Sequence, residues 1–239
     1  MKIFSWLRSF FGMVLFVSLT ALFSVLAILE AFTTNSRKIQ DWIAKSWGLW
    51  TCHFFGVKLR AHGLGNIPNE GCIFLFNHTS FFDIFTVQGL VPHLRFGAKI
   101  ELFKIPIFAI AMKRLGALPI ARDRRQEVFK IYEEAKIRFA KGDQFALAPE
   151  GTRNDIEKLK NFKSGPFVFA INGQVPVVPV IIKGAHAVMP KGRILPNFDR
   201  WQREIHVTFL PAIATAGLTI ENKTDLQQRV YQEMQSFFR

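Results

Sequence analysis

Cysteine and acid are both scarce in this chain. Two cysteines, Cys52 and Cys72, in 239 residues are too few for a disulfide framework, and neither CxxC spacing nor a paired-His motif marks a zinc site. The sequence has no G-x-S-x-G nucleophile elbow, no P-loop and no zinc-finger or RNA-recognition pattern, so the usual marks of serine hydrolases, NTPases and sequence-reading nucleic-acid binders are missing. No internal repeat or low-complexity tract occurs. Against only 18 Asp+Glu stand 31 Lys+Arg, a formal net charge of +13. That excess calls for an anionic partner: nucleic acid, an acidic membrane surface or a phosphorylated small molecule.

Apolar residues are plentiful. At 49% hydrophobic, with 26 phenylalanines, the chain is not disordered, and its length suits one sizeable core with an appendage. The phenylalanines lie in apolar runs instead of alternating with Lys and Arg, which argues against nucleic acid as the partner.

From Arg8 to Glu30 no charged residue intervenes, and residues 10–29 (FFGMVLFVSLTALFSVLAIL) are nearly all apolar. About 20 helical residues at about 1.5 Å each cover a hydrocarbon core of about 30 Å. The run reads as a retained membrane segment. A buried core helix and a cleaved signal peptide are the alternatives, the latter fitting poorly because the apolar stretch is too long and no small-x-small site closes it. Residues 36–55 place Ile39, Trp42, Ile43, Trp47, Trp50 and Phe54 near helical spacing. This amphipathic helix either lies in the headgroup region by its Trp face or packs on the core. Lys2 and Arg8 precede the first helix, and the larger cluster Arg37, Lys38 and Lys45 follows it. That bias puts the rest of the chain on the cytoplasmic face, the inner membrane if bacterial; positive charge at both ends also suits a pair that dips into one leaflet and returns.

From about Leu59 short apolar runs alternate with amphipathic helices, the texture of an α/β domain. Residues 71–76 (GCIFLF), 144–148 (QFALA) and 175–182 (VPVVPVII) are strand candidates, the last expected to be irregular or at an edge because of Pro176 and Pro179. Residues 126–141 read as a helix with Val128, Ile131, Ala135 and Phe139 on one face, stopped by Gly142. Thr224 with Gln227 predicts a capping box for a terminal helix striped by Leu226, Val230, Met234 and Phe237.

The first strand runs into Asn77-His78-Thr79-Ser80-Phe81-Phe82-Asp83. A His and an Asp at a strand-to-helix turn sit where α/β proteins place reactive groups, and a carboxylate that orients an imidazole makes it a general base for a hydroxyl. Ser80 with Asp83 equally reads as an S-x-x-D helix cap, with His78 a bystander. Pro149-Glu150-Gly151-Thr152-Arg153 again follows a strand and offers a glycine turn, a hydroxyl and a guanidinium to a phosphate; an ordinary surface turn is the alternative. Arg122-Asp123-Arg124-Arg125 and Lys163-Ser164-Gly165 are two further cationic clusters.

Taken in order, Asn77-His78-x4-Asp83, GALPIAR over residues 116–122, Pro149-Glu150-Gly151-Thr152-Arg153 and Val175-Pro176-Val177-Val178-Pro179 resemble the four blocks of the glycerolipid acyltransferase family, its lysophosphatidic acid (1-acylglycerol-3-phosphate) acyltransferases in particular. The resemblance covers roughly residues 59–210. It implies an α/β fold with a central sheet flanked by helices behind an N-terminal membrane-associated helix pair, divided as residues 1–58 and 59–239. It further implies that His78 is the general base, Asp83 its orienting partner, and Arg122 with Glu150, Gly151, Thr152 and Arg153 the holders of a glycerol phosphate; Lys99, in Ala98-Lys99-x-Glu101-Leu102, matches a basic position near that phosphate. The implied reaction moves a fatty acyl group from acyl-CoA or acyl carrier protein, as co-substrate, to the free hydroxyl of lysophosphatidic acid, with no metal or organic cofactor. The implied partners are membrane lipid, the lysophospholipid acceptor and the thioester donor, acyl carrier protein among the candidates, and no nucleic acid. Ala148, where the family often has an aromatic, and Pro119, where it often has Phe, bear on pocket shape and acceptor preference. Another lysolipid acceptor, and a basic membrane- or nucleic-acid-binding protein without catalysis, are the competing readings.

Overall fold

The computed structural model describes residues 2–120, 125–154, 158–197, 199–200 and 202–238. Two long helices lead, α1 (Lys2–Thr33) and α2 (Arg37–Phe54), followed by strand β1 (Val57–His62), β2 (Ile73–Phe76), α3 (Phe82–Leu90), β3 (Leu94–Lys99), α4 (Phe108–Arg114), β4 (Leu118–Ile120), α5 (Arg125–Ala140) and β5 (Gln144–Leu147). Then come α6 (Gly165–Gly173), β6 (Val177–Lys183), the single turn α7 (Ala185–Val188), β7 (Arg203–Phe209) and α8 (Lys223–Gln235). The strands form one sheet in the order β1-β7-β6-β2-β5-β3-β4. Every pairing is parallel except β6 with β7. Mixed α/β with a flanked central sheet is the expected class.

Alternation along the strands splits the core in two. Phe74, Phe76, Val178 and Val180 point to the face covered by α2 and α3, whereas Ile73, Leu75, Val177 and Ile181 point to the face covered by α5, α6 and α8. The short runs expected at 71–76 and 144–148 are β2 and β5, buried at every position as a sheet covered on both faces requires. β6 corrects the expectation of an edge strand: it lies between β2 and β7. Pro179 is tolerated there because it faces a break in the β7 ladder, between Phe209 and the isolated bridge from Val177 to Ile213. Its missing N–H strands no partner, and its carbonyl still accepts Leu210 N–H at 2.9 Å. Pro119 sits in β4, a true edge, where a missing donor costs little.

α5 ends at Ala140, and Gly142, at φ +79°, turns the chain just beyond it. The terminal helix is α8, with Leu226, Val230 and Met234 buried, but its start differs from the expected Thr224–Gln227 box. The capping box joins Thr219 and Asn222 one turn earlier, Gln227 reaches instead to the Phe162 carbonyl at 3.0 Å, and Phe237 lies in an exposed final turn.

α1 and α2 are packed onto this domain, and the 58/59 division falls inside β1. One stripe of α1, Gly12, Phe16, Phe23, Ala27 and Glu30, faces inward at helical spacing, while Phe10, Phe11, Val14, Leu22, Leu29 and Phe32 are exposed. The stretch Phe10–Thr33, at a mean hydropathy of 2.5, is long and apolar enough to cross a membrane. On α2 the aromatic face divides. Ile43 is buried and Trp47 packs edge-on against Phe85 of α3, whereas Trp42, Trp50 and Phe54 are exposed. α2 is also tied to the sheet by buried charge. Asp41 forms an ion pair with Arg95 at 2.5 Å and accepts from His93 at 2.6 Å, and Asp143 pairs with Arg37 at 2.6 Å and Arg138 at 2.8 Å.

Candidate active site

β2 delivers the chain to residue 77 at the carboxyl end of the sheet, and a buried asparagine fixes the exit. Asn77 Oδ1 accepts Ile182 N–H at 2.7 Å and its amide donates to Ile182 C=O at 2.8 Å, so the side chain supplies one more rung between β2 and β6. The following residue is His78. Its Nδ1 lies 2.9 Å from Asp83 Oδ2, with the carboxylate side chain fully buried and the ring 13% exposed. With a carboxylate at Nδ1 the ring proton belongs there, and Nε2 is left as the proton acceptor.

The same Oδ2 accepts Thr79 N–H and Ser80 N–H, each at 2.8 Å. Asp83 thus reaches back over the start of α3 as a capping acid does, and the same oxygen meets the His78 ring. Ser80 Oγ accepts Phe82 N–H at 3.1 Å and donates to Met189 C=O at 2.8 Å, pinning the turn to the segment after α7.

From β5 a second turn closes on the first. Glu150 Oε1 accepts His78 N–H at 3.0 Å, and Oε2 accepts Lys160 N–H at 3.1 Å. Asn154 N–H donates to His78 C=O at 2.6 Å. The peptide of His78 is therefore held on both sides by the loop that carries Glu150. Burial pushes the Glu150 carboxyl above its ordinary range, and the N–H groups of His78 and Lys160 pull the other way. Both carboxylate oxygens face backbone donors, so the side chain ties the His78 peptide to residue 160. Gly151 turns the loop at φ +73°, a conformation that favours glycine, leaving Thr152 exposed and Arg153 half-buried at the rim. Lys163 N–H donates to Pro149 C=O at 2.7 Å, tying the cluster ahead of α6 to the same loop.

Lys99 is the last residue of β3, in register with Ile120 at the end of β4, and its ammonium lies 3.0 Å from Glu101. Arg122 lies outside the described residues, as do Asp123 and Arg124. His78, Glu150, Lys99 and the chain leading to Arg122 therefore leave the carboxyl ends of four neighbouring parallel strands, β2, β5, β3 and β4, the edge of an α/β sheet where ligands bind. Phe76 stands edge-on to the His78 ring at 5.6 Å and to Phe96 at 6.0 Å, an apolar wall beside the imidazole; half-buried Ala148 packs against the same cluster. Asn154 and the ladder role of Asn77 escaped the sequence reading, because an isolated Asn carries no periodic or spacing signal.

The site thus sets a histidine, its Nδ1 facing a buried carboxylate, at the carboxyl edge of an α/β sheet beside Phe76 and Phe96. The chain belongs to the Acyltransferase family, whose model matches residues 58–183. Among curated relatives, the chloroplastic 1-acyl-sn-glycerol-3-phosphate acyltransferase BAT2 of Brassica napus is 35% identical over 67% of this chain and 47% of its own length. The chloroplastic LPAT1 of Arabidopsis thaliana is 34% identical over 80% of this chain and 55% of its own length. The chain thus spans about half the length of these relatives. The 1-acyl-sn-glycerol-3-phosphate acyltransferase of Pseudomonas aeruginosa is 29% identical over 80% of this chain and 72% of that protein. The same fold is seen in the crystal structure of the LPA acyltransferase PlsC from Thermotoga maritima, with a TM-score of 0.82 at 24% identity over 98% of this chain and 95% of that one.

Proposed function

We propose that this protein is a membrane-associated 1-acylglycerol-3-phosphate O-acyltransferase, moving a fatty acyl group from acyl-CoA or acyl carrier protein to the free hydroxyl of lysophosphatidic acid. The observation that carries the reading is His78, its Nδ1 engaged by buried Asp83 at 2.9 Å and its peptide gripped by Glu150 and Asn154. The acceptor hydroxyl gives its proton to His78 Nε2 as its oxygen forms the new ester bond at the thioester carbonyl. The C–S bond breaks, and the thiolate departs and takes up a proton. Asp83 stabilises the imidazolium formed meanwhile. As written, the transfer needs neither metal nor organic cofactor. The names of the relatives support this acceptor.

Lys99, Arg122, Thr152 and Arg153 hold the acceptor phosphate in this reading, as guanidinium forks and an ammonium suit anionic oxygens. The exposed apolar face of α1 lies in lipid. Its opposite stripe packs along α2, α3 and α4, which favours a helix pair seated in one leaflet over a helix that leaves the domain to cross the bilayer. The domain then faces the cytoplasm, as the Arg37, Lys38 and Lys45 cluster implies.

The purified 239-residue chain, supplied with lysophosphatidic acid and either thioester, should form phosphatidic acid. His78→Ala should lower turnover by about 10²–10⁴-fold with the fold and vesicle binding intact, and Asp83→Asn should also be severe. A folded His78→Ala protein with near-normal turnover would overturn the assignment.

A further inference from the structure

α4 opens on a strained turn. Ile107 has φ +61° and ψ −58°, and Phe108 N–H donates to Pro106 C=O at 2.5 Å. This is a three-residue γ-turn of the positive-φ kind, which is rare, and for a β-branched residue it is an outlier. Such strain persists where the surrounding structure enforces it, and it clusters at functional segments. The side chain so held is not in the core. Ile107 is 50% exposed, Ile105 47% and Ile110 51%.

What surrounds these three isoleucines is not random. From residue 99 to 114 the one acid is Glu101, paired with Lys99, whereas Lys104, Lys113 and Arg114 are exposed. The inner face of α4 packs through Ala111 on Phe23 and Ala27 of α1 and Ile43 of α2, so the isoleucines adjoin the helix whose outer face is apolar. In the other direction along the chain lies Lys99, at the rim of the candidate site.

We propose that residues 105–110 are a second lipid-inserting element. Ile105, Ile107 and Ile110 enter the acyl boundary of an anionic leaflet, Lys104, Lys113 and Arg114 meet its headgroups, and the Lys99 rim is held against the surface from which a lysolipid arrives. An apolar knob ringed by cations is what such a surface recognises, and continuity with α1 selects lipid over a protein partner. The inference rests on the membrane reading of α1 given above.

Both native cysteines are buried, so Ile107→Cys in the full chain presents a single accessible thiol for an environment-sensitive fluorophore. In phosphatidylglycerol/phosphatidylcholine vesicles carrying nitroxide-labelled lipid, emission from position 107 should shift to the blue and be quenched. A label at Leu22→Cys on α1 should be quenched too, and one at Ile137→Cys on α5, across the sheet, should not. Quenching at 22 without quenching at 107 would overturn the proposal and leave the membrane reading standing; quenching at neither would overturn both. Shielding that follows protein concentration without lipid would mark contact between copies and overturn it as well. Ile107→Gly relieves the positive φ, so its Tm should hold or rise while transfer to vesicle-embedded acceptor falls about three- to tenfold, about 0.7–1.4 kcal/mol, and transfer to a dispersed short-chain acceptor is unchanged. Unaltered transfer to both acceptors would refute the element.

Discussion

At the scale of single residues, one oxygen does three things. Asp83 Oδ2 receives two backbone N–H groups and the His78 ring, so the helix start and the imidazole are fixed by the same atom. Glu150 is the counterpart on the other strand, and its chemistry can be tested apart from that of His78. Glu150→Gln keeps the shape but offers one acceptor oxygen to two backbone donors, leaving one unsatisfied at a cost of about 1–3 kcal/mol, and kcat should fall because the His78 peptide loses its clamp. The pH dependence has a definite sign. Burial raises the Glu150 pKa above its ordinary 4.5, so the folded chain binds the proton more tightly than the unfolded chain, and its stability contribution grows as pH falls from neutrality through the raised value. Denaturant unfolding of both proteins at pH 7 and pH 5 should show the difference moving toward the wild type at the lower pH. No movement would mean that the carboxylate is not desolvated.

Between elements, the decisive contact is the crossing of α2 on α3. A Cβ built on Gly48 would sit 2.7 Å from both Gly89 N and Phe85 O, backbone atoms that cannot swing aside. Gly48→Ala should therefore push the helices apart, at the roughly 1–3 kcal/mol typical of overpacking, and lower Tm by about 2–12 °C. Gly65→Ala, where a Cβ meets nothing within 4 Å, is the control and should stay within about 0.5 kcal/mol. Calorimetry of the two variants separates them. Periodicity in the sequence located α2 but gave it a single aromatic face. In the structure Ile43 and Trp47 turn inward while Trp42, Trp50 and Phe54 turn outward, because small Ala44, Gly48 and Cys52 let α2 approach closely enough to bury its middle.

For the molecule as a whole, the helix pair and the sheet are one packed body. α2 covers α3, Phe16 of α1 stands among Phe55, Phe81 and Phe85, and Asp41 binds Arg95 of β3. Deleting residues 1–60 uncovers those faces, removes β1 up to Arg60, and takes the nearer acid from buried Arg95, leaving it Asp143 at 3.6 Å; full loss of a buried charge's partner costs about 3–5 kcal/mol. The truncated chain should appear as insoluble protein when expressed, with no soluble active fraction. A soluble, active fragment would show that the helices are a detachable anchor.

The sequence alone determined what depends on neighbours along the chain. The apolar run of α1, β2 and β5 as short buried strands, the Gly142 stop after α5 and the ordered blocks holding His78, Asp83, Arg122 and residues 150–153 are local patterns, fixed by side-chain period, turn chemistry and spacing. Even β7 was legible in principle, since Ile205, Val207 and Phe209 alternate inward. Only the tertiary structure decided that a proline-bearing strand could lie inside the sheet, because the break in β7 beside Pro179 is set by a partner some 30 residues away. The same holds for Glu150, whose two oxygens meet the N–H groups of His78 and Lys160. Hydrogen-bond partners across the sheet are chosen by strand order, and strand order is a property of the whole core that no window of sequence contains.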